Sequence, residues 1–304
     1  MQTSVTFPSN NLELAGILFT PDGHTGGRLP AVVVSHPGGG VKEQTASIYA
    51  ERLAGLGFAA LVFDAAYQGE SEGEPRGLED PFQRAEDVKS AVTYLTTRDD
   101  IDAENIGALG ICASGGYVPF AAQTDHRIKA VSAVSAVDWG DMLRNGLGRT
   151  QDPAVLDTML KTAGALRTAA ARGEEPTYEA WAPENPEGLE NAPTLYREAQ
   201  DYYRTERAKH PRSDNKWRLE SVDRIAHFDA FAKVDMISPR PLLMIAGTDA
   251  DTRYFSEEAI EKAAEPKELF LVDGATHIGL YDLDEHVTPA VAKLGEFFGK
   301  HLAG

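Results

Sequence analysis

A single cysteine, Cys112, stands in the run Asn105 to Tyr117, N-I-G-A-L-G-I-C-A-S-G-G-Y, where an apolar stretch meets small residues. The apolar run Ile106 to Ile111 predicts a strand, and the small residues after it predict a sharp bend into a helix. A side chain held at such a bend is presented for nucleophilic attack. The pattern for that bend places a glycine two residues before the nucleophile and another two residues after it. Gly110 supplies the first, but Ser114 occupies the second. Two frames therefore compete: Cys112 with Gly110 before it and Ser114 and Gly115 after, or Ser114 with Cys112 before it and Gly116 after.

A nucleophile of this kind needs a base to take its proton and an acid to orient that base. His277 lies in L-F-L-V-D-G-A-T-H-I-G-L-Y-D, just beyond an apolar strand and the Gly274 turn, and is the expected base. His286 and His301 fall beside or within the last helix, where a solvated histidine is the ordinary outcome. His24, His126, His210 and His227 fall in loops or in a long insertion. The acid is sought after the strand P-L-L-M-I-A-G-T-D-A-D-T-R, where Asp249 and Asp251 both qualify. Asp138 offers another seat, although it reads more simply as a helix cap. Negative charge developing on a substrate oxygen requires two backbone N–H donors. Ala113 supplies one, and the loop S-H-P-G-G-G-V-K-E supplies the other, with Gly38 the best placed. A phosphate cradle would follow its glycines with Lys-Ser or Lys-Thr, whereas this loop continues Lys42-Glu43.

These residues need elements to hold them. Val5–Phe7 and Leu12–Phe19 read as strands around the turn Pro8–Asn11. Ala31–Val34, Phe58–Phe63, Ile106–Ile111 and Val131–Val137 read as strands buried on both faces. Helices are predicted over about Lys42–Leu56 and Pro81–Thr97 and from Ala113 onward. Strand and helix alternate throughout, which predicts a doubly wound, mostly parallel sheet. The alternation stops at Trp139 and resumes near Pro241. It then gives a strand to Ala246, a helix Ser256–Ala264, a strand Glu268–Val272 and a terminal helix Pro289–Leu302. The intervening stretch has no strand-like run and carries helical segments near Ala154–Ala171, Pro193–Lys209 and Ser221–Phe231. The expected organisation is a core of residues 1–138 and 235–304, with residues 139–234 forming a largely helical cap between two late strands.

Bulk composition narrows the classes. The chain has 304 residues, 42% of them hydrophobic, and a formal net charge of −18. That charge repels nucleic acid, so no nucleic-acid partner is expected. No stretch approaches the roughly 20 apolar residues of a membrane span, and Met1–Asn10 lacks the pattern of a secretory signal. One cysteine cannot form an internal disulfide, which points to a reducing, cytoplasmic setting. No metal-ligand cluster and no cofactor motif is evident. A small-molecule acyl substrate is the expected partner, and a homodimer is left open.

The segments H-P-G-G-G, F-D-A-A-Y-Q-G-E-S-E-G, G-I-C-A-S-G-G and G-A-T-H-I-G-L-Y-D occur in one order from Val32 to His301. In that order the chain resembles the α/β-hydrolase superfamily. The cysteine elbow is similar to that of dienelactone hydrolases, G-x-C-x-G-G. The long insertion looks more like capped bacterial hydrolases and fungal polyketide transferases. The resemblance implies the run I-G-x-x-G-x-nucleophile, which Ile106 to Cys112 match residue for residue and which favours Cys112 over Ser114. It also implies the order nucleophile, acid, histidine, with the acid three or four residues past Gly247, which favours Asp251 over Asp249. The implied activity is hydrolysis of carboxylic esters, thioesters or lactones through an acyl-enzyme, with a thiolate–imidazolium pair between Cys112 and His277. An acyltransferase and a non-catalytic binding protein on the same scaffold are the alternatives.

Overall fold

Strands rich in Val, Ile, Leu and Ala set the centre of the molecule, and their side chains alternate between two cores. The computed structural model describes residues 1–302. Strands β1 (Gln2–Ser9), β2 (Leu12–Phe19), β3 (Leu29–Ser35), β4 (Ala59–Phe63), β5 (Ile101–Ile111) and β6 (Ile128–Val134) precede a long insertion. The insertion contains the three-residue strands β7 (Tyr178–Ala180) and β8 (Lys216–Arg218), and β9 (Leu242–Gly247) and β10 (Lys267–Val272) follow it. The main sheet has eight strands in the order β1-β2-β4-β3-β5-β6-β9-β10. The pairs β1–β2 and β2–β4 are antiparallel, and every later pair is parallel. It is a mixed, mostly parallel α/β sheet of the α/β-hydrolase kind.

Period-two alternation explains the layers. Val32, Val34, Val62, Leu109 and Ile111 face one core, whereas Val33, Leu61, Phe63 and Ala108 face the other. Helices α1 (Thr45–Gly55) and α10 (Asp284–Leu302) cover the first face. Helices α2 (Pro81–Thr96), α3 (Ser114–Ala122) and α8 (Arg253–Lys262) cover the second. Gly107 is required by this packing, because a Cβ there would lie 2.7 Å from the Phe298 ring on α10. No helix among the described residues is long and apolar enough to cross a membrane.

Several boundaries differ from those predicted, β5 beginning at Ile101 and α8 at Arg253 among them. β6 ends at Val134 rather than Val137, because Ser135 takes a left-handed φ of 49° that an extended strand cannot continue. The terminal helix begins a turn before Pro289, at Asp284. Between β6 and β9, which are neighbours in the sheet, lie α4 (Trp139–Asn145), α5 (Pro153–Ala171), α6 (Thr194–Arg204) and α7 (Val222–Ala226). The antiparallel pair β7–β8 lies there too, where no strand was expected. Leu143, Ala163, Trp217, Val222 and Ile225 form a small apolar cluster belonging to this segment. The short α9 (Gly279–Asp282) completes the set, just beyond His277.

Candidate active site

Cys112 sits between β5 and α3 with φ 58°, a conformation that an L residue adopts only where its surroundings enforce it. The enforcement is visible in the backbone. The Cys112 N–H donates to Val134 O at 3.0 Å, while the Cys112 carbonyl accepts from Gly115 N at 2.8 Å and Val137 N at 3.0 Å. The glycines around it are sterically required. A Cβ on Gly110 would stand 1.9 Å from the Ser114 carbonyl oxygen, and one on Gly115 would stand 2.6 Å from Ala136 Cα. The third residue after Cys112, not the second, is therefore the one that must lack a side chain. Serine is sterically accommodated at position 114.

Ser114 has a different employment. Its buried Oγ donates to the His36 carbonyl at 2.5 Å, accepts from the Arg84 guanidinium at 3.0 Å and lies 2.9 Å from Ser35 Oγ. Arg84 also donates to the His36 carbonyl at 2.7 Å. His36, buried and held well below the usual histidine range by desolvation and by Arg84, accepts from Ala65 N at 3.1 Å through Nε2. Its Nδ1 contacts the Pro37 carbonyl at 2.7 Å. Lys42 ties the far end of the loop to the buried Asp64 carboxylate through its N–H and its Nζ, both at 2.8 Å. Ser114 and these partners thus hold the loop that carries Gly38.

Cys112 lines a cavity together with Gly38, Ala113 and Tyr281, whose N–H groups and hydroxyl favour the thiolate. Burial raises its pKa above the ordinary value of 9.0, and those three donors only partly offset that. His277 is buried behind Tyr281. Its Nδ1 lies 2.5 Å from Thr252 Oγ1 and its Nε2 lies 3.2 Å from the Tyr281 hydroxyl. Desolvation alone brings His277 down to about 3, because no carboxylate ion-pairs with it among the described residues. Burial thus disfavours the charged form of both groups, and the Arg84 guanidinium offsets this only in part at Cys112.

The expected acid is engaged elsewhere. Helix α6 opens after Pro193, whose side chain cannot cap it, and the Asp251 carboxylate fills that need by accepting from Leu195 N at 2.7 Å. Asp249 is exposed, and its carboxylate meets Thr248 Oγ1 at 3.1 Å. Thr252, one residue beyond Asp251, is the side chain that reaches His277. Asp138 caps α4 through Asp141 N at 3.1 Å and also accepts from Ala230 N at 3.0 Å, while burial raises its pKa to about 6. The loops bearing Thr252 and His277 are stitched together. Gly247 lies so close that a Cβ would stand 1.9 Å from Ala275 O, and Asp249 N donates to that same carbonyl at 3.0 Å. Ser135 Oγ donates to the His277 carbonyl at 3.0 Å.

A cavity of about 480 Å³ opens over Cys112, Ala113, Gly38 and His277. Much of its wall comes from the insertion, including Trp139, Met142, Met159, Trp181, Tyr203 and Trp217. The Trp181 ring lies on the Gly38–Gly39 backbone, where a Cβ would come within 2.4 Å and 2.5 Å of it respectively. Thr252, Tyr281 and Trp181 were not singled out as site residues from the sequence. Only Tyr281 carried a signal, standing one helical turn after His277.

The protonation states lead to two expectations. Iodoacetamide alkylation of Cys112 should still be accelerating near pH 9, because the thiol is raised; a plateau near neutrality would show an ion pair instead. For His277, the folded pKa of about 3 lies below the ordinary 6.5, so its contribution to stability is present above pH 6.5 and is lost as pH falls toward 3. Between about pH 7 and pH 5 the native protein should lose about 2 kcal/mol more than a His277→Gln variant. Urea midpoints of both proteins at each pH measure this, and parallel curves would contradict it.

A family model described as X-Pro dipeptidyl-peptidase (S15 family) matches residues 11–275. The protein YcjY of Escherichia coli (strain K12) is 36% identical, over 99% of this chain and all of its own length. The crystal structure of PA2218 from Pseudomonas aeruginosa superposes with a TM-score of 0.92 at 35% identity, covering 99% of this chain and 94% of that one. The α/β-hydrolase GrgF from Penicillium sp. sh18 superposes with a TM-score of 0.84 at 25% identity over the whole of both chains. GrgF also carries the name polyketide transferase.

Proposed function

From a chain that belongs to the X-Pro dipeptidyl-peptidase (S15) family and is thereby a hydrolase, we propose an enzyme that cleaves carboxylic esters, thioesters or lactones through an acyl-enzyme on Cys112. The observation that carries this reading is the position of the thiol. It sits on a strained residue at the base of the cavity, against the N–H groups of Gly38 and Ala113. Those two amides form the oxyanion hole, His277 is the base, and Thr252 orients it. Residues 139–234 act as a cap that gives the acyl group an apolar, aromatic-walled chamber. Asp251 joins cap to core by holding the start of α6.

Cavity walls of this kind also favour transfer to an alcohol over hydrolysis, because they exclude water from the acyl-enzyme. The name of GrgF makes transfer the natural second reading. A panel of esters, thioesters, lactones and X-Pro amides, run with and without a small alcohol, tests both. Free acid as the only product supports the hydrolase, and ester formed from the alcohol supports the transferase. Turnover of the X-Pro amides alone would overturn both readings.

A further inference from the structure

We infer that Glu198 is a positioning residue: through Thr276 it ties cap helix α6 to the segment bearing His277, so that an acyl group seated against α6 fixes the base. The inference rests on the acyl-enzyme reading above. Leu195, Tyr196, Ala199 and Tyr203 of α6 line the cavity that opens over Cys112. The same helix is bonded to the two loops that hold the base. Thr276 Oγ1 donates to Glu198 Oε2 at 2.7 Å, and the Asp251 carboxylate accepts from Leu195 N at 2.7 Å. Just past the helix, Arg207 donates to the Asp282 carboxylate through Nε at 2.9 Å and Nη2 at 2.6 Å.

Each tie lands one residue from His277 or from a side chain that touches it. Thr276 immediately precedes His277. Asp251 precedes Thr252, whose Oγ1 lies 2.5 Å from His277 Nδ1. Asp282 follows Tyr281, whose hydroxyl lies 3.2 Å from His277 Nε2. The Thr276 tie is the most direct of the three. Its hydroxyl also accepts from Gly279 N at 3.0 Å, which closes a turn with His277 inside it. That turn is tight, since a Cβ on Gly279 would stand 2.8 Å from the same hydroxyl. Glu198 and Thr276 do not themselves line the cavity, so they act through His277 and not on the substrate.

This bracket matters because His277 has no carboxylate ion pair to fix it among the described residues. Its orientation depends on hydroxyl partners, and such partners hold a base only as firmly as they are held themselves. A displacement of about 1 Å at a reacting group can cost on the order of 10²-fold in rate. An acyl chain packed on the inner face of α6 orders that helix, and the ties pass the order to His277. Binding of a remote part of the substrate then raises kcat and not only affinity. The acyl groups favoured are those long enough to reach α6.

Steady-state kinetics with p-nitrophenyl acetate and p-nitrophenyl octanoate, with intact mass reporting the Cys112 adduct, test this coupling. His277 serves both acylation and its reversal, so kcat reads its position whichever step limits. The native kcat should rise from acetyl to octanoyl by about tenfold. Glu198→Ala should erase that rise, lowering the octanoyl kcat about tenfold with KM within about twofold, and leave the acetyl kcat within about threefold. Glu198→Gln still accepts from Thr276 through its amide oxygen and should restore kcat to within about threefold of native. Arg224→Gln removes a cap-to-core ion pair with Asp80, at 2.5 Å, that does not touch the base, and should change neither constant. If Glu198→Ala does not fold, Thr276→Val should show the same loss and Thr276→Ser should not. Four results overturn the inference while Cys112 still acylates: no rise in the native enzyme, an effect on KM alone, equal losses for both esters, or an equal loss in Glu198→Gln or Arg224→Gln. Absence of any Cys112 adduct in the native enzyme overturns the acyl-enzyme reading and this inference with it.

Discussion

Cys112→Ala should lower kcat/KM for an activated ester by at least on the order of 10³-fold, leaving only what the oxyanion hole and binding supply. The size of the effect follows from the lack of a substitute. Ser114 is the only hydroxyl that competes for the role in the sequence, and its Oγ is committed to the His36 carbonyl, Arg84 and Ser35 with no exposure to the cavity. Ser114→Ala removes one anchor of the Gly38 loop, a loss comparable with one buried hydrogen bond. It should reduce kcat/KM by roughly tenfold or less. Steady-state kinetics on the two variants separate the frames. A Ser114→Ala loss larger than the Cys112→Ala loss would transfer the role to serine.

Gly110→Ala should be the most damaging change to the fold of any at the elbow. The added methyl would lie 1.9 Å from the Ser114 carbonyl oxygen and 2.4 Å from its carbon. Both are backbone atoms of α3, pinned by the hydrogen bonds that hold Cys112 at positive φ. Relief requires moving β5 against α3 inside a core where neither can yield. The expected cost exceeds about 4 kcal/mol, seen as a collapse of the urea midpoint or as insoluble protein. Gly299→Ala on α10 is the matched comparison, since a Cβ there meets nothing within 4 Å. It should gain about 0.5–1 kcal/mol from reduced backbone freedom. Equal midpoints for the two variants would contradict the steric account of the elbow.

Much of this architecture was legible because it follows from short-range pattern. The strands β3, β4 and β5 are apolar runs bounded by turn residues, and the alternation that marks a parallel sheet is established before Trp139 and resumes near Pro241. The elbow was legible for the same reason, since Gly110, Cys112 and Gly115 act within six residues of one another. The end of β6 was not legible, because the left-handed turn at Ser135 is imposed by its neighbours and not by its own preference.

The orienting partner of His277 shows where pattern fails. The run T-D-A-D-T presents four polar side chains on one loop, and its spacing gives no means of choosing among them. The choice is made far away, at Pro193, which leaves the start of α6 without a cap and so recruits Asp251. Thr252 then faces the imidazole. The seating of Trp181 on Gly38 is equally long-range, and the glycine run alone points to flexibility and not to an indole lying on it. Tyr281 had a visible spacing from His277, but helical spacing is more often packing than chemistry.

The central claim is that the acyl group is carried on the sulfur of Cys112. Quenching a reaction with a chromogenic ester in acid, digesting the protein and locating the added acyl mass measures this directly. The mass should fall on the peptide containing Cys112, should be removable by hydroxylamine, and should be absent from Cys112→Ala. An acyl group on Ser114, or turnover with no covalent adduct on the chain, would contradict the account.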